Sequence, residues 1–203
     1  MDIRTRYERL LDRYPEFRGR FTFAQLAAPS LTKIDRYRDL NDVVESTARR
    51  INQRFGRSDY QPILLLRSHH EPPEVFRFLR AADLCYVSSL HDGMNLVAKE
   101  FVAARTDMRG VLVLSEFTGA ARELTEALIV NPYDLEASSE ALAVALMMPP
   151  EEQRDRMRSM SAVLAKFNVY RWAGKMLLDA ARLRNQERVA MRLSERSIHS
   201  SLA

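Results

Sequence analysis

The chain has 203 residues, enough for one sizeable core, and its 46% hydrophobic and 29% charged residues match a soluble globular domain. The net charge of +4 arises from 31 basic residues interleaved with 27 acidic ones. Such mixing, with no aromatic residues in the arginine-containing stretch 182–203, argues against a nucleic-acid partner. No apolar run approaches the ~20 residues of a membrane span, and Met1–Arg6 lacks the apolar core of a secretory leader. The single cysteine, Cys85, excludes an intrachain disulfide and points to a reducing cytoplasm.

Tyr7, Leu10, Leu11 and Tyr14 mark one face of an opening helix that Pro15 and Gly19 end. Phe21 to Ala27 reads as a strand. Tyr37, Leu40, Val44, Ala48 and Ile51 recur at helical spacing, and Gly56 closes that helix. Ile63 to Leu66 is wholly apolar, as expected of a strand buried on both faces. A helix after Pro72-Pro73 carries Val75 to Leu79 and leads to a strand through Cys85. Then follow a helix from Leu96, a strand Val111 to Leu114, a turn near Ala120 and a strand Leu128 to Val130. Asp134 caps a helix through Leu146, and Pro149-Pro150 separates it from another beginning at Glu151. From Val169 the chain is helical through at least Leu183, with Trp172, Met176, Ala180 and Leu183 on one apolar stripe, a pattern more often of packing than of cofactor contact. Beyond Arg184 the polar sequence has little to bury and is expected to fray.

This alternation predicts an α/β domain, a doubly wound parallel sheet covered by helices on both faces. Residues 1–167 form that domain, and 168–203 a terminal helix with a polar tail. Ligands of such sheets bind beyond the carboxyl ends of the strands. There the strand through Cys85 gives way to Asp92-Gly93-Met94-Asn95 and then to the helix from Leu96. Glycine lets the backbone approach a ligand, and the first amides of a helix have no internal partner. Together with the helix dipole they favour a phosphate. Glu100, more than one turn into the helix, has a carboxylate suited to sugar hydroxyls. The turn therefore points to a nucleotide sugar or a sugar phosphate.

The string Asp92-Gly93-Met94-Asn95-Leu96-Val97-Ala98-Lys99-Glu100-Phe101-Val102-Ala103 resembles the donor-site segment of the trehalose-phosphate synthase family. So do Gly110 to Ala121, Ala127 to Asp134 and, near the end of the second helix, Arg50 to Gly56. The resemblance runs in order from about Arg6 to Lys166. It implies the carboxy-terminal, donor-binding half of a two-domain GT-B glycosyltransferase. Its parent reaction is glucosyl transfer from UDP-glucose to glucose 6-phosphate with retention, in trehalose biosynthesis. It further implies that Asp92, Gly93, Met94 and Asn95 contact the glucose, and that Leu96 and Val97 give main-chain N–H groups to the diphosphate. Glu100 would hold the ribose. No cofactor beyond the nucleotide sugar and no metal is implied. A glucosylglycerol-phosphate-synthase-like enzyme using an ADP-sugar, and a non-catalytic module binding nucleotide sugar or a partner, are the alternatives.

Other polar residues are assigned structural roles. Lys99 points about a quarter turn away from Glu100. His91 stands where the family has arginine. His69 and His70, adjacent on an extended segment, face opposite ways and do not form a metal site. Ser30 and Ser115 lack the histidine and carboxylate partners of a nucleophile. The family's Arg-x-Asp-x-x-Lys-Gly donor motif is expected before the first helix and precedes this sequence. Leu31 occupies the position of the arginine that grips the acceptor phosphate, and a leucine makes no charge-assisted bond. The chain is thus expected to be inactive alone. Because the family's terminal helix crosses back to an amino-terminal domain that would cover the Trp172–Leu183 stripe, the chain is also expected to expose that stripe and to self-associate or need a separate amino-terminal half.

Overall fold

A computed structural model describes residues 3–27 and 35–200. The chain divides into two compact units, Met1–Ser161 and Ala162–Ala203.

The first unit begins with α1 (Ile3–Arg13) and a short 3-10 turn at Pro15–Phe17, followed by β1 (Phe23–Leu26), α2 (Asp35–Phe55), β2 (Ile63–Leu66) and α3 (Pro72–Ala81). Next come β3 (Leu84–Val87), α4 (Leu96–Ala104), β4 (Val111–Ser115), a 3-10 turn at Gly119–Arg122, β5 (Leu128–Val130), α5 (Leu135–Met147) and most of α6 (Pro150–Lys166), whose last residues belong to the second unit. All strand pairs are parallel, in two ladders: β1 beside β2, and β3-β4-β5 in that order. A parallel α/β fold is thus present as expected, although its hydrogen bonding is split between the ladders.

Strand burial departs from the expectation at one point. The run Ile63–Leu66 was expected to be buried on both faces, but only Ile63 is buried and Leu64 is exposed. Among the described residues β2 has one strand neighbour, β1, so only part of the strand is enclosed: Ile63 enters the core while Leu64 faces out. β4 lies between two strands, and every residue from Val111 to Ser115 is buried. The turns follow the sequence closely. The Asp134 carboxylate accepts the Ala137 N–H at 2.9 Å and caps α5. Gly56 ends α2 by donating its N–H to the Asn52 carbonyl at 2.8 Å.

One apolar core joins both ladders. Tyr7, Leu10 and Leu11 of α1 pack with Ala48 and Ile51 of α2, Ile63 of β2, Val111 and Val113 of β4, and Leu142 and Ala143 of α5. The polar face of α1 is tied to α2 through Glu8, which receives Arg50 on both carboxylate oxygens and Arg54 Nη1 at 2.9 Å. Arg54 also reaches Asp12 at 2.7 Å. Where the chain enters β3 and β4, the buried Arg105 donates to the carbonyls of Arg80, of Ala82 (2.8 Å) and of Arg109 (2.7 Å). That single guanidinium joins the end of α3 to the approach to β4, and so fixes the strand from which the site loops depart.

The second unit contains α7 (Val169–Ser200). The helix does not stop near Arg184 but continues to Ser200. Its apolar stripe is uncovered, as expected: Trp172, Met176 and Leu183 are exposed, as are Tyr170, Leu177 and Leu178. Among the described residues no helix is long and apolar enough to cross a membrane.

The Arg50 guanidinium beside Glu8 holds its carboxyl below the ordinary glutamate value of 4.5. A carboxylate depressed in the folded state stabilises fully above its unfolded pKa and loses that contribution as the pH falls through the folded one. Glu8→Gln is therefore expected to cost about 1–2 kcal/mol at pH 7, because the arginines are half-exposed. It should also flatten the decline in stability below pH 4.5. Urea unfolding at several pH values checks both.

Candidate functional site

The site is built where β3 ends and α4 begins. Asp92 folds the turn on itself: its Oδ1 accepts the N–H groups of Met94 (3.1 Å) and Asn95 (2.9 Å), and its Oδ2 accepts Asn95 Nδ2 (2.9 Å). The Asn95 amide and then the Met94 N–H hold this carboxyl below the usual aspartate range. Asn95 has φ of 65°, a left-handed value that asparagine tolerates better than most residues. The buried Asn95 side chain caps the helix, since its Oδ1 accepts the Ala98 N–H at 2.9 Å. Its Nδ2 also lies 3.3 Å from Ser89 Oγ. The cap engages the third amide of α4, and among the described residues the N–H groups of Leu96 and Val97 have no partner.

A second loop clamps the first. Ser115 Oγ donates to the Ser89 carbonyl at 2.7 Å. Asp92 N–H donates to the Phe117 carbonyl (3.2 Å), Gly119 N–H to the Asp92 carbonyl (3.0 Å) and Ala120 N–H to the Met94 carbonyl (2.9 Å). Asp92 and Thr118 form a parallel bridge. Lys99 of α4 completes the contact through an ion pair with Glu123 at 2.7 Å.

Gly93 faces the other way. A Cβ added there would meet nothing within 4 Å, and its φ is not in the left-handed region. Neither packing nor backbone conformation requires a glycine at 93, and the space beside it is open. Met94, Leu96 and Val97 are exposed around it. Glu100 follows Leu96 by four residues and Val97 by three, which puts it on their side of the helix. Its half-buried carboxylate has no partner among the described residues.

Asp92, Gly93, Met94, Asn95, Leu96, Val97 and Glu100 lie together on one turn and the first turns of α4. The side chains of Asp92 and Asn95 are occupied in building the turn, which leaves main-chain groups and Glu100 as the free donors and acceptor. Lys99 is structural, and His91 is exposed. His69 lies 3.4 Å from Glu71, and His70 lies 3.0 Å from Glu74. Among the described residues no three or more His, Cys, Asp or Glu are grouped as a metal site would need. Burial pushes the Cys85 thiol up to about 12, which makes it a poor nucleophile. Leu31 and Ser30 lie outside the described residues. Residue-by-residue reasoning missed the clamp by Ser89, Ser115 and Gly119, although the Gly110–Ala121 string was there to suggest it. Asn95→Ala is expected to lower stability by about 1–2 kcal/mol, and Asn95→Gly, which keeps the left-handed φ, by less. Urea midpoints of the two variants test this.

Residues 4–182 match the profile of Glycosyltransferase family 20. A trehalose-6-phosphate synthase from Salmonella arizonae is 43% identical over 174 residues, covering 85% of this chain and 37% of the relative. A bifunctional trehalose-6-phosphate synthase/phosphatase from Thermoproteus tenax is 39% identical over 93% of this chain and 26% of its own length. Among solved structures, the Burkholderia multivorans α,α-trehalose 6-phosphate synthase superposes with a TM-score of 0.87 at 39% identity, over 93% of this chain and 40% of that one. The E. coli protein bound with UDP-2-fluoro glucose gives 0.84 at 40% identity, over 87% and 39%. The chain thus spans about two-fifths or less of the length of these relatives. With the family match extending over most of its length, the chain belongs to glycosyltransferase family 20.

Proposed function

We propose that this chain binds a nucleotide diphosphate sugar at the start of α4, and serves glucosyl transfer from UDP-glucose to glucose 6-phosphate in trehalose synthesis. The observation that carries the reading is the pair of unpartnered amides, Leu96 and Val97, beside the open space at Gly93. Support comes from two relatives, one bound with UDP-2-fluoro glucose and another from Burkholderia xenovorans in complex with glucose-6-phosphate.

In this reading the diphosphate lies on the Leu96 and Val97 N–H groups, where charge develops as the bond from the anomeric carbon to phosphate oxygen breaks. Fixed donors at a helix amino terminus stabilise that charge without reorganising. The glucose lies over Asp92–Asn95, and the ribose hydroxyls donate to Glu100. Asp92 is a poor nucleophile here because its carboxylate already accepts three N–H donors. That favours a route in which leaving-group departure leads, the acceptor hydroxyl oxygen bonds to the anomeric carbon from the vacated face, and its proton passes to the departing diphosphate oxygen.

Calorimetric titration with UDP, ADP and GDP tests the binding part and ranks the bases. UDP is expected to bind best, and Glu100→Ala to weaken it by about 1–3 kcal/mol, the scale of lost hydrogen bonds at a charged group. Unchanged affinity in that variant would remove the ribose role.

Transfer is a separate test, because the donor turn supplies no grip on the acceptor. Incubated with UDP-glucose and glucose 6-phosphate, the chain alone is expected to release UDP at a negligible rate. Turnover is expected once an amino-terminal half from a relative is added. Fast disaccharide-phosphate formation by the isolated chain would contradict this.

A further inference from the structure

The two glycines at the site are there for different reasons. A Cβ on Gly93 would enter open space, whereas a Cβ on Gly119 would lie 2.0 Å from the Gly93 carbonyl oxygen and 2.9 Å from its carbon. It would also come within 3.4 Å of Met94 Cα. All three atoms are main chain, so no side-chain rotation relieves the clash. Gly119 has no left-handed φ, so its glycine is not explained by backbone conformation. The explanation that remains is the approach of the two loops.

We propose that Gly119 is a positioning residue for donor binding: its missing side chain sets how deeply the Gly93 peptide is seated, and hence where the Leu96 and Val97 amides point. The inference rests on the donor-site reading for its functional consequence, but not for its geometry. Two hydrogen bonds on either side of the contact transmit the position, Gly119 N–H to the Asp92 carbonyl (3.0 Å) and Ala120 N–H to the Met94 carbonyl (2.9 Å). Below Gly119, the loop is held by Thr118 Oγ1 on the Ser115 carbonyl (2.9 Å) and by Ser115 Oγ on the Ser89 carbonyl (2.7 Å). Both loops are thus anchored to strand ends, and any added bulk must be taken up by the turn that Asp92 and Asn95 shape. Restoring an ordinary contact requires the two loops to separate by more than ~1 Å, and misplacement of even ~1 Å costs up to ~10²-fold where geometry is critical.

The test combines amide NMR spectra of the ligand-free chain with calorimetric titration of UDP, for native protein and Gly119→Ala. The variant is expected to shift the amide resonances of Gly93 to Val97 while those of β5 and α5 stay in place, and to bind UDP at least tenfold more weakly. Gly174→Ala, where an added Cβ also meets nothing within 4 Å, is the control and should change neither readout. Should Gly119→Ala fail to fold, Thr118→Val removes only the hydroxyl bond to Ser115, and is expected to give a smaller shift and weakening of the same kind. Unmoved Gly93–Val97 amides in a folded Gly119→Ala, or moved amides with native UDP affinity, would overturn the positioning role. If native protein binds no UDP while the amides still move in the variant, the donor-site reading fails and the geometric inference stands.

Discussion

The site depends on one constraint, the left-handed backbone of Asn95 held in place by the Asp92 carboxylate. Backbone in this region costs of order 1–3 kcal/mol for most residues, and it persists only where its surroundings fix it. Here the Asp92 oxygens take the N–H groups of Met94 and Asn95, and Asn95 spends its side chain on the third amide of α4. This division of labour leaves the first two amides of the helix free. A different cap engaging Leu96 or Val97 would have left fewer amides for the proposed diphosphate.

The rest of the fold holds that turn at the right end of the sheet. β4 is the buried strand between β3 and β5, and the loops leaving β3 and β4 meet through Ser115, Phe117, Gly119 and Ala120. Arg105 joins the end of α3 to the segment entering β4. The core shared by α1, α2 and α5 then makes the strands a rigid base. Loops on such a base can be placed to fractions of an ångström, as the recognition of a diphosphate requires.

Much of this was legible in the sequence because the relevant signals are local. Asp134 before α5, the proline pair before α6, and the Asp92–Asn95 turn before α4 act over three or four residues, and each appears at its expected place. Features that depend on distant partners were not legible. The apolar run Ile63–Leu66 does not reveal that β2 has one strand neighbour among the described residues. The Trp172–Leu183 periodicity marks an amphipathic helix, and only the family resemblance, not the periodicity, gave the expectation that its stripe is uncovered, as it is. The clamp between the two loops pairs residues some 25 positions apart, beyond any turn rule. Similarly, the sequence resemblance brings Asp92 and Asn95 to the ligand, but only the geometry shows that their side chains are already engaged in the turn.

The central claim is that a nucleotide diphosphate is held by the first two amides of α4. Titrating 15N-labelled native chain with UDP and following the assigned amides tests it residue by residue. The account predicts that Leu96 and Val97 show the largest shifts, with their N–H protons moving downfield as they bond to phosphate oxygens. Saturable UDP binding that left both amides in place and perturbed another part of the chain would contradict it.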